Sequence, residues 1–260
     1  MDLGLKEKIV VISGAAGMKG SIGETILQNL VNEGAIPAVI DRNDRGFDYI
    51  EEIRKKGTDA IFCKTDVTDP DQIKNAVDTI TDKYGRIDVV INNVGVNDGV
   101  GLDASYEEFM NSLKLNMVSY FLVVKHALPF LKKSKGNILN IGSKVALTGQ
   151  GKTSGYAASK GGVLGLTREW AVDLIKYGIR SNAIIIAESW TPENRPSHDL
   201  FTALKVWTAS HDFFVTGSIA HDDESWFGFE TGCLLIDLEK YRQLGNPRFG
   251  VPGDDPIELP

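Results

Sequence analysis

Ile9-Val10-Val11-Ile12-Ser13-Gly14-Ala15-Ala16-Gly17-Met18-Lys19-Gly20-Ser21-Ile22-Gly23 opens as a β-branched run, crosses a glycine cluster and leads into a helical pattern. A short apolar run bounded this way reads as a buried strand. Beyond it, Ile22, Ile26, Leu30 and Val31 share one helical face, and Gly34 ends that helix. Strand, glycine turn and helix start together form a receptor for a dinucleotide pyrophosphate. Glycines let the backbone approach the phosphates, and the helix N-terminus favours their charge. Gly14, Ser21, Ile22 and Gly23 are the candidate ligands.

Outward from this stretch the pattern alternates. Strands are expected at residues 35–40, 59–63, 87–91, 137–141 and 179–186. Helices are expected at residues 22–33, 47–56, 71–84, 105–131 and 154–176. Alternation of this kind implies right-handed βαβ units around a parallel sheet. The expected class is α/β: a Rossmann-type doubly wound parallel sheet flanked by helices, a three-layer sandwich. No repeat or low-complexity linker divides the chain, so residues 1–260 are expected to form one domain. The pattern is clear to residue 192 and atypical over 193–260. In that last part, residues 199–209 suit a helix, 233–237 a strand followed by a short helix, and the stretch from Asn246 an extended tail rich in proline.

The 260 residues carry a net charge of −7 and include two cysteines, Cys63 and Cys233. The acidic balance and the lack of a basic run argue against nucleic acid as a partner. No Cys/His spacing indicates zinc. The N-terminus is charged at once and no apolar segment is long enough to span a bilayer, so a cytoplasmic protein without membrane contact is expected. His198, His211 and His221 are three of the four histidines. His221-Asp222-Asp223-Glu224 holds metal-ligand types, but a solvated acidic turn is the preferred reading and no metal is expected.

Candidate site residues fall where strands end. Asp41 closes the second strand, where a carboxylate accepts hydrogen bonds from ribose hydroxyls and repels a 2′-phosphate, favouring NAD. Arg42 argues the other way, because a guanidinium can pair with that phosphate and admit NADP. Asp66-Val67 follow the third strand and Asn92-Asn93-Val94-Gly95 the fourth, each at the carboxyl edge where a parallel sheet meets its ligand. Tyr156 and Lys160 are four apart on one helix and so share a face. An ammonium beside a phenol stabilises the phenolate, letting Tyr156 exchange a proton with a substrate oxygen. Ser143, after the fifth strand, can hold that oxygen, and Asn116 can order a water leading to Lys160.

Taken together, the glycine loop, Asn-Asn-x-Gly, Asn116, Ser143 and Tyr-x-x-x-Lys resemble the short-chain dehydrogenase/reductase family over roughly residues 5–192. The resemblance implies a Rossmann-type sheet and hydride exchange between NAD(P) and an alcohol or carbonyl. It implies Tyr156 as the acid/base and Lys160 as ligand of the nicotinamide ribose. Ser143 would polarise the reacting oxygen, and Asn116 would anchor the proton relay. Asp66 and Val67 would flank the adenine, Asn93 and Gly95 would line the cofactor cleft, and Thr191 would contact the carboxamide. A homodimer or homotetramer is implied as well.

Narrower stretches are similar to bacterial L-fucose dehydrogenases, which oxidise an anomeric hydroxyl. They are Gly95-Val96-Asn97-Asp98-Gly99-Val100-Gly101-Leu102-Asp103, Thr148-Gly149-Gln150-Gly151-Lys152-Thr153-Ser154-Gly155-Tyr156 and Leu166-Thr167-Arg168-Glu169-Trp170-Ala171-Val172. On that reading Asn97, Asp98, Gln150 and Glu188 pair with sugar hydroxyls while Trp190 stacks on the ring.

The chain departs from the family in three places. Its glycine loop is three residues longer than usual, with Ser13 for threonine. Val94 and Ile186-Ala187 replace Ala and Pro-Gly. After Pro192 the substrate-covering helix and the last strand are not recognisable, although residues 231–237 faintly resemble that strand. A carbonyl reductase of the 3-oxoacyl type and a nucleotide-binding scaffold without turnover are the competing readings.

Overall fold

The computed structural model describes residues 3–186, 219–222 and 226–229. The chain divides into two units, residues 2–186 and residues 187–260 with Met1.

In the first unit the alternation expected from sequence is realised. The strands are β1 (Ile9–Ser13), β2 (Ile36–Asp41), β3 (Ile61–Lys64), β4 (Val89–Asn92), β5 (Asn137–Ser143) and β6 (Arg180–Ile186). The helices are α1 (Ile22–Asn32), α2 (Arg45–Lys55), α3 (Pro70–Tyr84), α4 (Tyr106–Leu113), α5 (Ser119–Ser134) and α6 (Ser154–Leu174). All six strands pair in parallel, in the order β3-β2-β1-β4-β5-β6.

That order places helices on both faces. Right-handed crossovers from β1 to β2 to β3 put α1 and α2 on one face. The chain then reverses direction across the sheet, and the same handedness sends α3, α5 and α6 to the other. The core reflects this. Ile9 and Val11 of β1 pack with Ile73, Val77 and Ile80 of α3, Val123, Ala127 and Leu131 of α5, and Trp170 and Leu174 of α6. Val10 and Ile12, one residue out of phase, point to the opposite face and are fully buried there. The result is the three-layer α/β sandwich.

The reversal falls between β1 and β4, which run side by side with Ser13 opposite Asn92. A crevice forms at such a switch point, outside the carboxyl ends of the strands. The glycine loop and the Asn92–Gly95 segment therefore meet there.

One expected element is divided. The helical stretch at residues 105–131 is α4 and α5 joined by a π-helical turn, Lys114–Val118. Asn116, within that turn, donates from Nδ2 to the Ser112 carbonyl at 3.1 Å. A side chain that takes the carbonyl four residues back competes with the backbone for it, and single wide turns of this kind gather at functional sites.

In the second unit, β7 (Ile219–Asp222) pairs antiparallel with β8 (Trp226–Phe229), with His221 opposite Phe227. The first half of the His221–Glu224 segment is thus strand, where sequence had suggested a turn. The helix expected at 199–209 and the strand at 233–237 lie outside the described residues.

Candidate active site

The glycine loop is built from β1 and α1. Gly14 has φ +75, and a Cβ there would lie 2.8 Å from the Val94 side chain. At Gly23 a Cβ would lie 2.2 Å from the Gly14 carbonyl oxygen and 2.5 Å from Asn93 Nδ2. These two positions need glycine for close approach. Gly17 and Gly20 face open space, and of these two Gly20 alone, at φ +74, needs glycine's conformational freedom. Ser21 caps α1, its hydroxyl accepting from the Glu24 amide at 3.3 Å. Asn93 binds the loop from the other side of the switch point, donating to the carbonyls of Ser13 at 3.1 Å and Gly14 at 2.8 Å.

Two side chains that sequence reasoning passed over hold the longer loop. Glu24, 4 % exposed, accepts from the Gly20 amide and from the Arg45 guanidinium. Arg45 also donates to the Gly17 carbonyl at 3.0 Å and lies over the Tyr49 ring. The loop's extra length is thus tied to the first turn of α2. The signal available in sequence was the unusual length itself, which needs anchors.

Asp41 ends β2, as expected, and is 8 % exposed. Its two carboxylate oxygens accept from the amides of Ala16 at 2.9 Å and Asn43 at 3.0 Å. It therefore ties β2 to the glycine loop, with lone pairs remaining for a ribose. Arg42 is exposed beside it. Asp66 is spent on a local turn, accepting from the Thr68 amide and hydroxyl, and Val67 is a core residue at 5 % exposure.

Across the switch point, α6 brings up the catalytic candidates. Tyr156 lies in its first turn, half-buried, and Lys160 one turn later, 1 % exposed. The ammonium stands 5.7 Å from the Tyr156 ring centre. It donates to the Ile141 carbonyl at 2.8 Å and to the Tyr120 hydroxyl at 3.0 Å. Burial lowers the lysine's pKa to about 7. Ser143 terminates β5 two residues beyond Ile141 and caps the 3₁₀ turn Lys144–Ala146 through the Val145 amide at 3.4 Å.

Asn116 is fully buried, and its amide is committed. Oδ1 accepts from the Val96 amide at 2.8 Å, and Nδ2 donates to the Val96 carbonyl at 3.1 Å. A Cβ at Gly95 would lie 3.2 Å from Lys160 Nζ and 3.6 Å from Asn116 Oδ1, so the two groups converge over that glycine. Sequence reasoning also passed over Tyr120, although it follows Asn116 by four residues, the spacing that singled out Tyr156 and Lys160.

Of the proposed substrate contacts, Asn97 and Asp98 are exposed on the loop after β4 and Gln150 on the loop after β5. Asn97 Oδ1 accepts from the Thr153 hydroxyl, and the Gly155 amide donates to the Val100 carbonyl at 3.0 Å. The two loops are thereby joined beside Tyr156. Glu188, Trp190 and Thr191 lie outside the described residues.

The profile of the short chain dehydrogenase family matches residues 8–198. The chain belongs to that family. The family groups nicotinamide-dependent oxidoreductases acting on CH–OH groups, and this chain is a domain of that class. It is 35% identical to the L-fucose dehydrogenase of Rattus norvegicus over 71% of its length and 67% of the relative's. It is 34% identical to the 3-oxoacyl-(acyl-carrier-protein) reductase of Thermotoga maritima, over 77% of this chain and 82% of that one. Among solved structures, Cj0485 dehydrogenase superposes with a TM-score of 0.68 and 37% identity, covering 74% of this chain and 73% of that one. NAD⁺-bound xylitol dehydrogenase gives 0.65 at 29% identity, with 70% of each chain covered. The chain spans about two thirds of the length of the L-fucose dehydrogenases, 67% of one and 64% of another.

Proposed function

We propose that this short-chain dehydrogenase oxidises the anomeric hydroxyl of L-fucose or a related aldose, using NAD. The observation that carries the redox reading is the joining of two half-sites at the β1/β4 switch point. One is a glycine loop that a single added carbon would close at Gly23. The other is a phenol, an ammonium and a hydroxyl at the adjoining edge of β5.

The cradle fits a dinucleotide. Gly14, Ser21, Ile22 and Gly23 would hold its pyrophosphate and Asp41 its adenosine ribose. Asn93 and Gly95 would line the cleft, while Asp66 and Val67 would bound the adenine through their backbone and Thr191 would meet the carboxamide. When bound, nicotinamide supplies or accepts the hydride. Tyr156 takes the proton of the substrate hydroxyl during oxidation and returns it during reduction. Ser143 donates to the same oxygen and fixes its place. Lys160, held below Tyr156, lends the positive charge that lets the phenol ionise. Asn116 keeps the β4 loop closed around that ammonium.

Support for the sugar substrate comes from the L-fucose dehydrogenase relatives and from Asn97, Asp98 and Gln150 on the loops around Tyr156. Glu188 and Trp190 would complete the polyol contacts. Support for NAD comes from Asp41, whose negative charge opposes a 2′-phosphate more directly than the exposed Arg42 attracts one. A second reading, reduction of a 3-oxoacyl thioester with NADPH, is favoured by the Thermotoga relative. The exposed side chains of Val96, Leu102 and Leu147 on the same loops also suit an apolar chain. We further infer a cytoplasmic homodimer or homotetramer. No helix among the described residues is long and apolar enough to cross a membrane.

The deciding assay offers L-fucose, its aldose stereoisomers and a 3-oxoacyl thioester with each dinucleotide. The proposal expects NADH formation with L-fucose or a stereoisomer at the highest kcat/KM. Turnover confined to the thioester with NADPH would replace it by the second reading.

A further inference from the structure

The Tyr120 phenol is buried at 1 % exposure on α5, beneath the site. Its oxygen accepts from Lys160 Nζ at 3.0 Å while its proton is donated to the Val94 carbonyl at 2.8 Å. Lys160 Nζ also lies 4.9 Å from the Tyr120 ring centre. Two of the ammonium's three donors are thereby committed, one to Tyr120 and one to Ile141 O. A side chain this deeply buried cannot touch substrate or cofactor. Its hydrogen bond to the catalytic set is the one to Lys160.

We propose that Tyr120 is a positioning residue for Lys160. Its hydroxyl bridges the ammonium to the Val94 carbonyl at the end of β4 and so fixes Nζ under Tyr156 from the α5 side. The proposal rests on the redox reading of the Tyr156 site for its kinetic consequence, and on the Lys160–Tyr120 hydrogen bond alone for its effect on Lys160.

Among the described residues, the groups around Nζ come from four elements. Its own helix supplies Tyr156, α5 supplies Tyr120, the π-helical turn supplies the neutral amide of Asn116, and β5 supplies the Ile141 carbonyl. None of these is a carboxylate. The ammonium form is therefore sustained by neutral acceptors. Burial, and then charge on Tyr156, push the Tyr120 phenol well above its ordinary range, so it stays protonated and keeps its bond to Val94. Removing one of two fixed acceptors from a buried cation disfavours its charged form. Lys160 then loses its proton more easily, and the positive charge that favours the Tyr156 phenolate weakens. The phenol ionises at higher pH.

Tyr120→Phe keeps the ring and deletes the hydroxyl. The first readout needs no cofactor. The Tm difference between each background and its Lys160→Met counterpart, followed against pH, reports the pH at which Lys160 titrates in the folded chain. Tyr120→Phe is expected to lower that midpoint by about one unit, the effect of one lost hydrogen bond. The second readout is the pH profile of alcohol oxidation. Its rising limb is expected to move to higher pH and kcat at neutral pH to fall about tenfold, with dinucleotide Kd within about twofold because the cradle is untouched. Replacing Tyr120 by 3-fluorotyrosine, a weaker acceptor of nearly the same shape, should shift the midpoint the same way by less, and it answers the question should the phenylalanine variant not fold. An unchanged midpoint in either variant overturns the proposal. A shifted midpoint in a protein that turns over no alcohol or carbonyl would instead overturn the redox reading and leave the role of Tyr120 standing.

Discussion

Lys160 is the residue on which most of the site's physics converges. A lysine at 1 % exposure is costly in its charged form, and here its pKa falls from 10.5 to about 7. The unfolded chain therefore binds more protons than the folded one between those values, and folding is penalised there. The penalty is complete at and below about pH 7 and fades as pH rises toward 10.5. Lys160→Met is accordingly expected to raise the Tm of the ligand-free protein at pH 7 by roughly 4 °C or more, with the gap narrowing to under about 1 °C by pH 10. Calorimetry across that range checks it, and a gap that widens with pH contradicts it. At this scale the sequence was informative where chemistry recurs at a fixed spacing. Tyr156 and Lys160 were legible because they share a helical face, and Ser143 because it ends a strand. What sequence could not show is where the ammonium's hydrogen bonds go. Its nearest partners, Tyr120 and the Ile141 carbonyl, are brought to it from 40 and 19 residues away.

Among the elements, the glycine loop is anchored from outside by Glu24 and Arg45. Glu24 is buried and accepts from both the loop and Arg45, and Arg45 adds a bond to the Gly17 carbonyl. Arg45→Met removes the counter-charge and one loop tether together. The half-exposed guanidinium tempers the cost of the unpaired carboxylate, so a loss of about 1–3 kcal/mol is expected in denaturant unfolding. Dinucleotide Kd should weaken by about tenfold while kcat at saturation holds, since the catalytic edge lies across the switch point. A loss of kcat with Kd unchanged would show that the loop is not what Arg45 supports. The β1–loop–α1 unit was readable because glycine, β-branched and helical patterns adjoin there. Two features were not. The π-helical turn between α4 and α5 was hidden because the chain stays helical on both sides of it. The pairing of β7 with β8 takes in His221 and Asp222, residue types that composition assigns to solvent.

For the molecule as a whole, the strand order β3-β2-β1-β4-β5-β6 is of the doubly wound kind expected from sequence, and the family profile covers residues 8–198. Oligomerisation is a claim at this scale. Phe121 on α5, with Val172 on α6 and Ile175 just beyond it, are exposed at 45%, 73% and 74%, large apolar side chains on helices of the same sheet face. If these helices form the proposed subunit contact, Val172→Lys shifts the sedimentation coefficient from oligomer toward monomer. An oligomer that persists unchanged places the contact elsewhere.

The central claim is that the Tyr156 phenol moves the substrate proton beside a bound dinucleotide. Its most direct test compares NADH formation from the best aldose by the native protein and by Tyr156→Phe, with dinucleotide Kd measured in parallel. The account predicts a kcat lower by about 10²–10⁴-fold in the variant with Kd essentially the same. Undiminished NADH formation by Tyr156→Phe would contradict it.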